Sequence, residues 1–388
     1  MSKLSLPFVD YYNKHNVIPV SQDISNLSEF IFKRNHLYMT LGFPLARLKG
    51  LKILEVGPGG GYNAIVTSFY SPSLYTFVDA STASLSELQN KYRQGLFNAE
   101  EVRIHESNFL EYTSDEKYDL VICEDTIPCQ ENPAEFLNKL SSFVGEGGGL
   151  IITTTTAYSF LSEICRTMLR PFIFASSRSF EERIKMSSDI FGSHLDALGT
   201  STRPIRDWVI DVILQDWYSY RYVFSILDAA DLISNTFNFY NSSPSFLIDD
   251  RWYKKVGSTD ATRTDLLKNQ YGILAISLLD YRVPISSIFK IEDQQSLTEI
   301  EFLCSQVCLL HNEILTNSSY HSIDKVIDTL QEISNTLPEA FAETKRSITD
   351  YKRVLTELAH SGNLLEFKEF KNFWGRGQQY VSFLRKAS

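Results

Sequence analysis

Cysteine is scarce in this chain, basic charge falls short of acidic, and no long apolar run occurs. Five cysteines among 388 residues (Cys123, Cys129, Cys165, Cys304, Cys308) are too few, and odd in number, for a disulfide scaffold; they suit a reducing compartment. Lys plus Arg number 37 against 47 Asp plus Glu, a net charge of −10, which argues against a surface built for polyanions and hence against a nucleic-acid partner. No stretch reaches the roughly 18 uninterrupted apolar residues of a membrane span, and the best candidate, YGILAISLLDY, is broken by Asp280. The opening MSKLSLPFVDYYNKHN has no apolar run of the secretory type, so the expectation is a cytoplasmic protein. Internal repeats and low-complexity segments are missing too. A hydrophobic content of 43% excludes a disordered or fibrous chain. The length exceeds what one core usually fills and calls for one enlarged domain or two.

What is present is an alternation of strands and helices. LKILEV at 51–56 is a short apolar run ending in glycines, the pattern of a strand buried on both faces of a parallel sheet. LYTFVDA (74–80), EVRIHES (101–107), YDLVICED (118–125) and GGLIITTTT (148–156) repeat it, with helix-compatible segments between. This predicts an α/β fold with a doubly wound, Rossmann-like sheet over 51–156. Residues 1–50 read as a helical lid segment. Residues 157–225 read as an aromatic-rich insertion that should cover the strand ends, in which Trp208, Trp217, Tyr218 and Tyr220 draw on the chain's aromatic surplus. The sheet is expected to finish over 226–258, with SFLIDDRWYKKV as a strand candidate, and 259–388 to be α-helical.

The first strand runs into Glu55-Val56-Gly57-Pro58-Gly59-Gly60-Gly61. Glycines here allow a tight turn and let a ligand approach the backbone at a helix N-terminus. A dinucleotide loop, G-x-G-x-x-G, would place its third glycine at position 62, which is Tyr62. The observed pattern is Gly57, Gly59, Gly61 with an acid two residues ahead, and Asp79 follows Gly57 by 22 residues at the end of the second strand.

This combination resembles the class I S-adenosylmethionine-dependent methyltransferases, a Rossmann-like family. The resemblance implies that Gly57, Gly59 and Gly61 pack against the amino-acid part of the cofactor and that Glu55 serves its ammonium. It further implies that Asp79, beside Ala80, takes the ribose hydroxyls, since a carboxylate accepts both protons of a diol. Asn108 and Phe109 stand where the family often has an acid near the adenine, and Glu124 and Asp125 end the fourth strand at the ligand edge. That strand lacks the [DN]-P-P-[YF] signature of methyltransferases acting on base amino groups, in keeping with the acidic balance. More loosely, YYNKHNVIPVSQDIS, HLDALGTSTRPIRDWVIDVIL, SSPSFLIDDRWYKK and FWGRGQQYVSF are similar to methyltransferases of bacterial surface-polysaccharide biosynthesis.

Methyl transfer requires a positioned acceptor and, for a hydroxyl, a base. An imidazole suits the second task, so His194 in the insertion is the candidate base, with Asp207 and Asp211, one helical turn apart, to orient it. Arg203, Trp208 and Tyr12 are candidate acceptor-binding residues. Tyr11 and His15 are further lid residues, and Arg34 or His36 could meet the cofactor carboxylate. Cys304, Cys308 and His311 share one helical face, the spacing of a buried seam, and no metal is expected. The segment around Arg376 either returns to the active site or makes a homodimer contact.

The expected activity is therefore S-adenosylmethionine-dependent O-methylation of a small-molecule or glycan-precursor acceptor. Two other readings stay open at this level: an NAD(P)-dependent sugar-modifying Rossmann enzyme, and a non-catalytic scaffold subunit with a methyltransferase fold.

Overall fold

Strand β1 (Lys52–Val56) is buried over its last four residues and pairs in parallel with β2 (Leu74–Asp79) on one side and β4 (Tyr118–Cys123) on the other. In a computed structural model describing residues 6–18, 21–22, 24–174, 179–199, 203–215, 223–291, 293–317 and 321–387, these strands form the centre of a seven-stranded sheet. Strand β3 (Glu101–Glu106) lies outside β2, and β5 (Val144–Thr154) outside β4. The order is β3-β2-β1-β4-β5-β7-β6, where β6 is Phe237–Ser243 and β7 is Gln379–Arg385. Five parallel strands thus meet a sixth and seventh in which only β7 runs antiparallel, bonded to β5 and β6 at once.

Helices α1 (Pro7–His15), α2 (Leu27–Thr40), α3 (Tyr62–Ser68), α4 (Thr82–Arg93) and α5 (Pro133–Phe143) belong to the same unit, which gathers Met1–Thr154, Val223–Gln270 and Gln378–Ser388. Phe30, Tyr38 and Leu41 of α2 and its exit, with Ala64, Ile65 and Val66 of α3, pack on Ile53, Tyr75, Phe77, Leu120 and Ile122 of the sheet. Parallel strands need cover on both faces, which is why their sequences read as continuous apolar runs.

Two sequence expectations change here. Ser245–Val256 forms no strand: its charges sit at Asp249, Asp250, Arg251, Lys254 and Lys255, and Arg251 folds its guanidinium onto Asp249 and the Ala261 carbonyl. The last strand instead comes from the C-terminal segment expected to be helical. QYVSFLR survives between two neighbours because Val381, Ser382 and Phe383 are all buried.

The second unit comprises Thr155–Tyr222 and Tyr271–Gly377. The insertion and the C-terminal helices, read separately from the sequence, are one body. Its helices include α6 (Ala157–Met168), Phe180–Leu198, Gln294–Asn317, His321–Thr336 and Ala342–Ser361. The Tyr158 hydroxyl donates to the Leu297 carbonyl (2.6 Å), and the Tyr351 hydroxyl to that of Cys165 (2.7 Å). Asp280, which interrupted the longest apolar run, is fully buried and takes the Arg282 guanidinium. Trp217, Tyr218 and Tyr220 lie outside the described residues. Among those described, no helix is long and apolar enough to cross a membrane.

Candidate active site

At the carboxyl ends of β1 to β4 the first unit encloses a cavity of about 330 Å³, the position where open α/β sheets bind ligands. The glycine loop forms one wall. Gly57 and Gly59 both line the cavity with φ of 71° and 55°, a backbone conformation that residues with a Cβ rarely adopt. A Cβ on Gly57 would come within 2.1 Å of Thr126 Oγ1, so any side chain here would require the Thr126 side chain, just past β4, to give way. Gly61 (φ 76°) does not line the cavity; it starts α3 and packs on Leu88 and Phe97.

Asp79 ends β2 with its carboxylate pinned by backbone N–H groups, Gly59 N to Oδ2 (3.2 Å) and Ser81 N to Oδ1 (2.8 Å). Burial pushes its pKa up to about 6 against the pull of those N–H donors. Each oxygen keeps a further lone pair for a hydroxyl donor.

Glu55 and Glu124 share the wall. Burial, then the neighbouring Glu124, lifts Glu55 to about 7, while the Tyr75 hydroxyl that donates to it pulls the other way. Glu124 is forked by Arg34 of α2 (3.0 and 2.6 Å) and accepts from Asn63 Nδ2 of α3 (2.7 Å). Burial pulls the Arg34 guanidinium down most strongly, but Glu124, Tyr38 and Tyr380 together hold it above its ordinary value. The carboxylate that Arg34 meets is therefore the protein's own.

Asp125 follows in left-handed backbone (φ 60°), rare for a residue other than glycine and a mark of a position held by its surroundings. Its N–H donates to Thr153 Oγ1 of β5 (2.8 Å), and its carboxylate accepts from the Gln378 amide at the entrance to β7. Apolar side chains complete the lining, Leu6, Phe8, Val9 and Tyr12 from the chain's first helix and the residue before it, with Phe109 and Phe136. Helix α1 is fastened by Asn13, whose Oδ1 accepts from Ser81 Oγ (3.2 Å) and Ala83 N (3.4 Å). Asn108 turns its Oδ1 back to accept from Leu110 N (3.1 Å), while the Phe109 ring packs at a tilt against Phe136 and Phe143.

The structure thus brings Glu55, Gly57, Gly59, Asp79, Ala80, Asn108, Phe109, Glu124, Asp125 and Tyr12 onto one cavity. It places the acceptor-side candidates elsewhere. His194 is 1% exposed inside the second unit, its Nδ1 accepting from Arg166 Nε (3.2 Å) among Phe191, Phe367 and Phe370. Burial and then the Arg166 charge push its imidazole down to about 2, so it is neutral and enclosed. Arg203 is committed to Asp211 (2.6 Å), Arg206 to Glu181, and Trp208 packs on Trp374. Asp207 sits on the same short helix, half-buried, and is not among the cavity residues. Cys304, Cys308 and His311 are buried, with His311 Nε2 2.8 Å from Thr167 Oγ1. His36 is exposed and does not line the cavity, and the Tyr11 ring packs at a tilt against His15.

Sequence reasoning missed Phe8, Asn63, Thr126, Gln130, Gln378 and Tyr380, all on the cavity wall. Thr126 and Gln130 follow the fourth strand closely enough to be inferred. Gln378 and Tyr380 arrive only through the pairing of β7 with β5, across more than 220 residues of chain.

The glycine cradle that a Cβ would fill, the pinned Asp79 and an aromatic flank fit an adenosyl amino acid. Residues 47–181 match the family model for a methyltransferase domain. No curated protein sequence matches the chain. Among solved structures, it is similar to magnesium protoporphyrin IX methyltransferase from Synechocystis, 15% identical over 63% of this chain and 93% of that one (TM-score 0.36). It is also similar to the N-methyltransferase NodS from Bradyrhizobium japonicum, 14% identical over 38% and 74% (TM-score 0.30). A third, PKMT2 from Rickettsia typhi, is 18% identical over 57% and 47% (TM-score 0.37). The match over 47–181, on the segment that carries the glycine loop and the ends of β1 to β4, makes that part of the chain a methyltransferase domain.

Proposed function

We propose that the protein methylates a hydroxyl of a small, sugar-containing acceptor. The observation that carries the reading is the convergence of the glycine loop, Asp79, Glu55 and Glu124 on a single cavity at the strand ends. When bound, S-adenosylmethionine supplies an electrophilic methyl group: the C–S bond breaks with its pair left on sulfur, a C–O bond forms from the acceptor oxygen's lone pair, and the hydroxyl proton leaves to a base or water. The chain's part is positioning and exclusion of water. In this reading the N–H groups of the glycine loop and the Glu55 region hold the amino-acid end, Asp79 accepts the ribose hydroxyls, and Phe109 with Ala80 flanks the adenine. The Arg34–Glu124–Asn63 cluster keeps the β4 end in place beneath them.

Hydroxyl rather than amino-group transfer is supported by the β4 turn, Glu124-Asp125-Thr126-Ile127-Pro128, which has no [DN]-P-P-[YF]. Tyr12, Gln130 and Gln378 give the wall neutral donors and acceptors of the kind that bind polyols. His194, enclosed in the second unit and not among the cavity residues, takes no part as the base in this reading.

Isothermal titration tests the cofactor step: wild-type protein should bind S-adenosylmethionine, Asp79→Ala should weaken it by roughly 100-fold, and NAD should give no heat. Transfer of a tritiated methyl group to alcohols and reducing sugars, but not to matched amines, is the expected outcome for the acceptor step. Labelling confined to amines would reverse the O-directed assignment.

A further inference from the structure

We infer that Ser84 is a further cofactor-binding residue, its hydroxyl donating to the ribose oxygens whose protons Asp79 accepts. The inference rests on the cofactor assignment above and adds to it a residue in the first turn of α4. Ser84 lines the cavity and is fully buried, and its Oγ has no hydrogen-bond partner in the protein. Among the described residues of the cavity wall it is the only one with a buried side-chain polar atom in that condition. Buried hydroxyls nearly always find a partner, because burial has cost them the hydrogen bonds of water. On a cavity wall, the group that supplies one is a ligand atom.

Ser81, three residues earlier, shows the opposite condition. Its Oγ accepts from Ser84 N (3.3 Å) and donates to Asn13 Oδ1 (3.2 Å), and its N–H donates to Asp79 Oδ1 (2.8 Å). That hydroxyl is fully used, as the N-cap of α4 and as a tie to α1. The same bonds fix where Ser84 stands, since its backbone is tied to Ser81 and Ser81 is tied to Asp79. The hydroxyl of Ser84 alone is uncommitted, and it turns about a single bond among three staggered positions.

The two side chains are complementary toward a diol. An ionised carboxylate only accepts, so Asp79 takes the hydroxyl protons and leaves the lone pairs of the ribose oxygens unserved. Serine brings the missing donor from the helix that follows the same strand end. The pair thus recognises the ribose through both the hydrogen and the oxygen of its hydroxyl groups. The amino-acid end of the cofactor plays no part in this contact.

Ser84→Ala in the full chain separates this role from a structural one. The substitution removes no hydrogen bond from the free protein, so its Tm without ligand should equal or exceed that of the wild type. S-adenosylhomocysteine should bind roughly 3- to 10-fold more weakly by titration calorimetry. Adenosine, which keeps the ribose and lacks the amino acid, should lose the same factor when it competes with S-adenosylhomocysteine. Ser277→Ala, which deletes an equally buried and unpartnered hydroxyl in the second unit, should leave both affinities unchanged. Unaltered S-adenosylhomocysteine affinity in Ser84→Ala, a loss that spares adenosine, a lower Tm of the free variant, or an equal loss in Ser277→Ala would overturn the inference. Failure of the wild type to bind either ligand would instead overturn the cofactor assignment.

Discussion

Asp79 and His194 are both held away from bulk water, and burial pushes each toward its neutral form, yet they sit in regions of opposite character. Asp79 ends a strand at a cavity, held by backbone N–H groups with lone pairs to spare. His194 is surrounded by aromatic rings and Arg166, its Nδ1 used inside the second unit. Arg166 in turn donates to the Phe373 carbonyl and lies 3.7 Å over the Trp374 ring. The difference teaches that a perturbed pKa marks a functional group only where the group also faces space a ligand can enter. An imidazole pushed to about 2 in a packed interior is structural.

The largest effect expected from breaking this comparison lies at the cavity's own ion pair. Arg34→Met leaves Glu124 buried without its cation and should cost about 3–5 kcal/mol; adding Glu124→Gln should restore much of that, measured by urea unfolding. A single variant no less stable than the wild type would show that the wall carboxylates need no internal cation. His194→Ala should cost about 2–3 kcal/mol through a cavity and an orphaned Arg166 Nε, while S-adenosylhomocysteine affinity stays within about twofold. A marked loss of affinity there would dissolve the contrast between the two regions.

Gly57→Ala is expected to be milder for stability, roughly 1 kcal/mol for a Cβ in left-handed backbone, since the Thr126 side chain it meets can turn aside. Its sharper readout is cofactor affinity, which should fall with the reshaped loop.

The smallest effect is a difference in pH slope, and its sign separates the two regions. Glu55 rises from 4.5 to about 7 and Asp79 from 3.8 to about 6 on folding. The folded state therefore keeps protons that the unfolded chain releases, and this contribution to stability is lost as pH rises from about 4 to 7. His194 falls from 6.5 to about 2, so the unfolded chain binds the proton and stability grows as pH rises toward 6.5. Between pH 5 and 7, Glu55→Gln should make the change in Tm more positive than in wild type, and His194→Asn more negative. Parallel profiles for both variants would remove the distinction.

The glycine loop, the acid two residues before it, Asp79 and the residues ending β3 and β4 were legible because each belongs to a short segment whose local pattern announces a strand and its turn. The acceptor-side residues were not. His194 and Trp208 carry the right chemistry in an aromatic setting, but nothing in their neighbours records that Phe367, Phe370 and Trp374 pack against them from far along the chain. SFLIDDRWYKKV has strand-forming residues, and its charges outweigh them.

By itself the sequence determined the class of fold and the cofactor loop, since runs of apolar residues and glycines act through contacts a few residues apart. Tertiary structure alone decided that Arg34 serves Glu124 across 90 positions, that the C-terminal segment supplies β7 and with it Gln378 and Tyr380, and that His194 is interior. Those outcomes depend on which distant surfaces exclude water from a given side chain, and burial of that kind has no local signature.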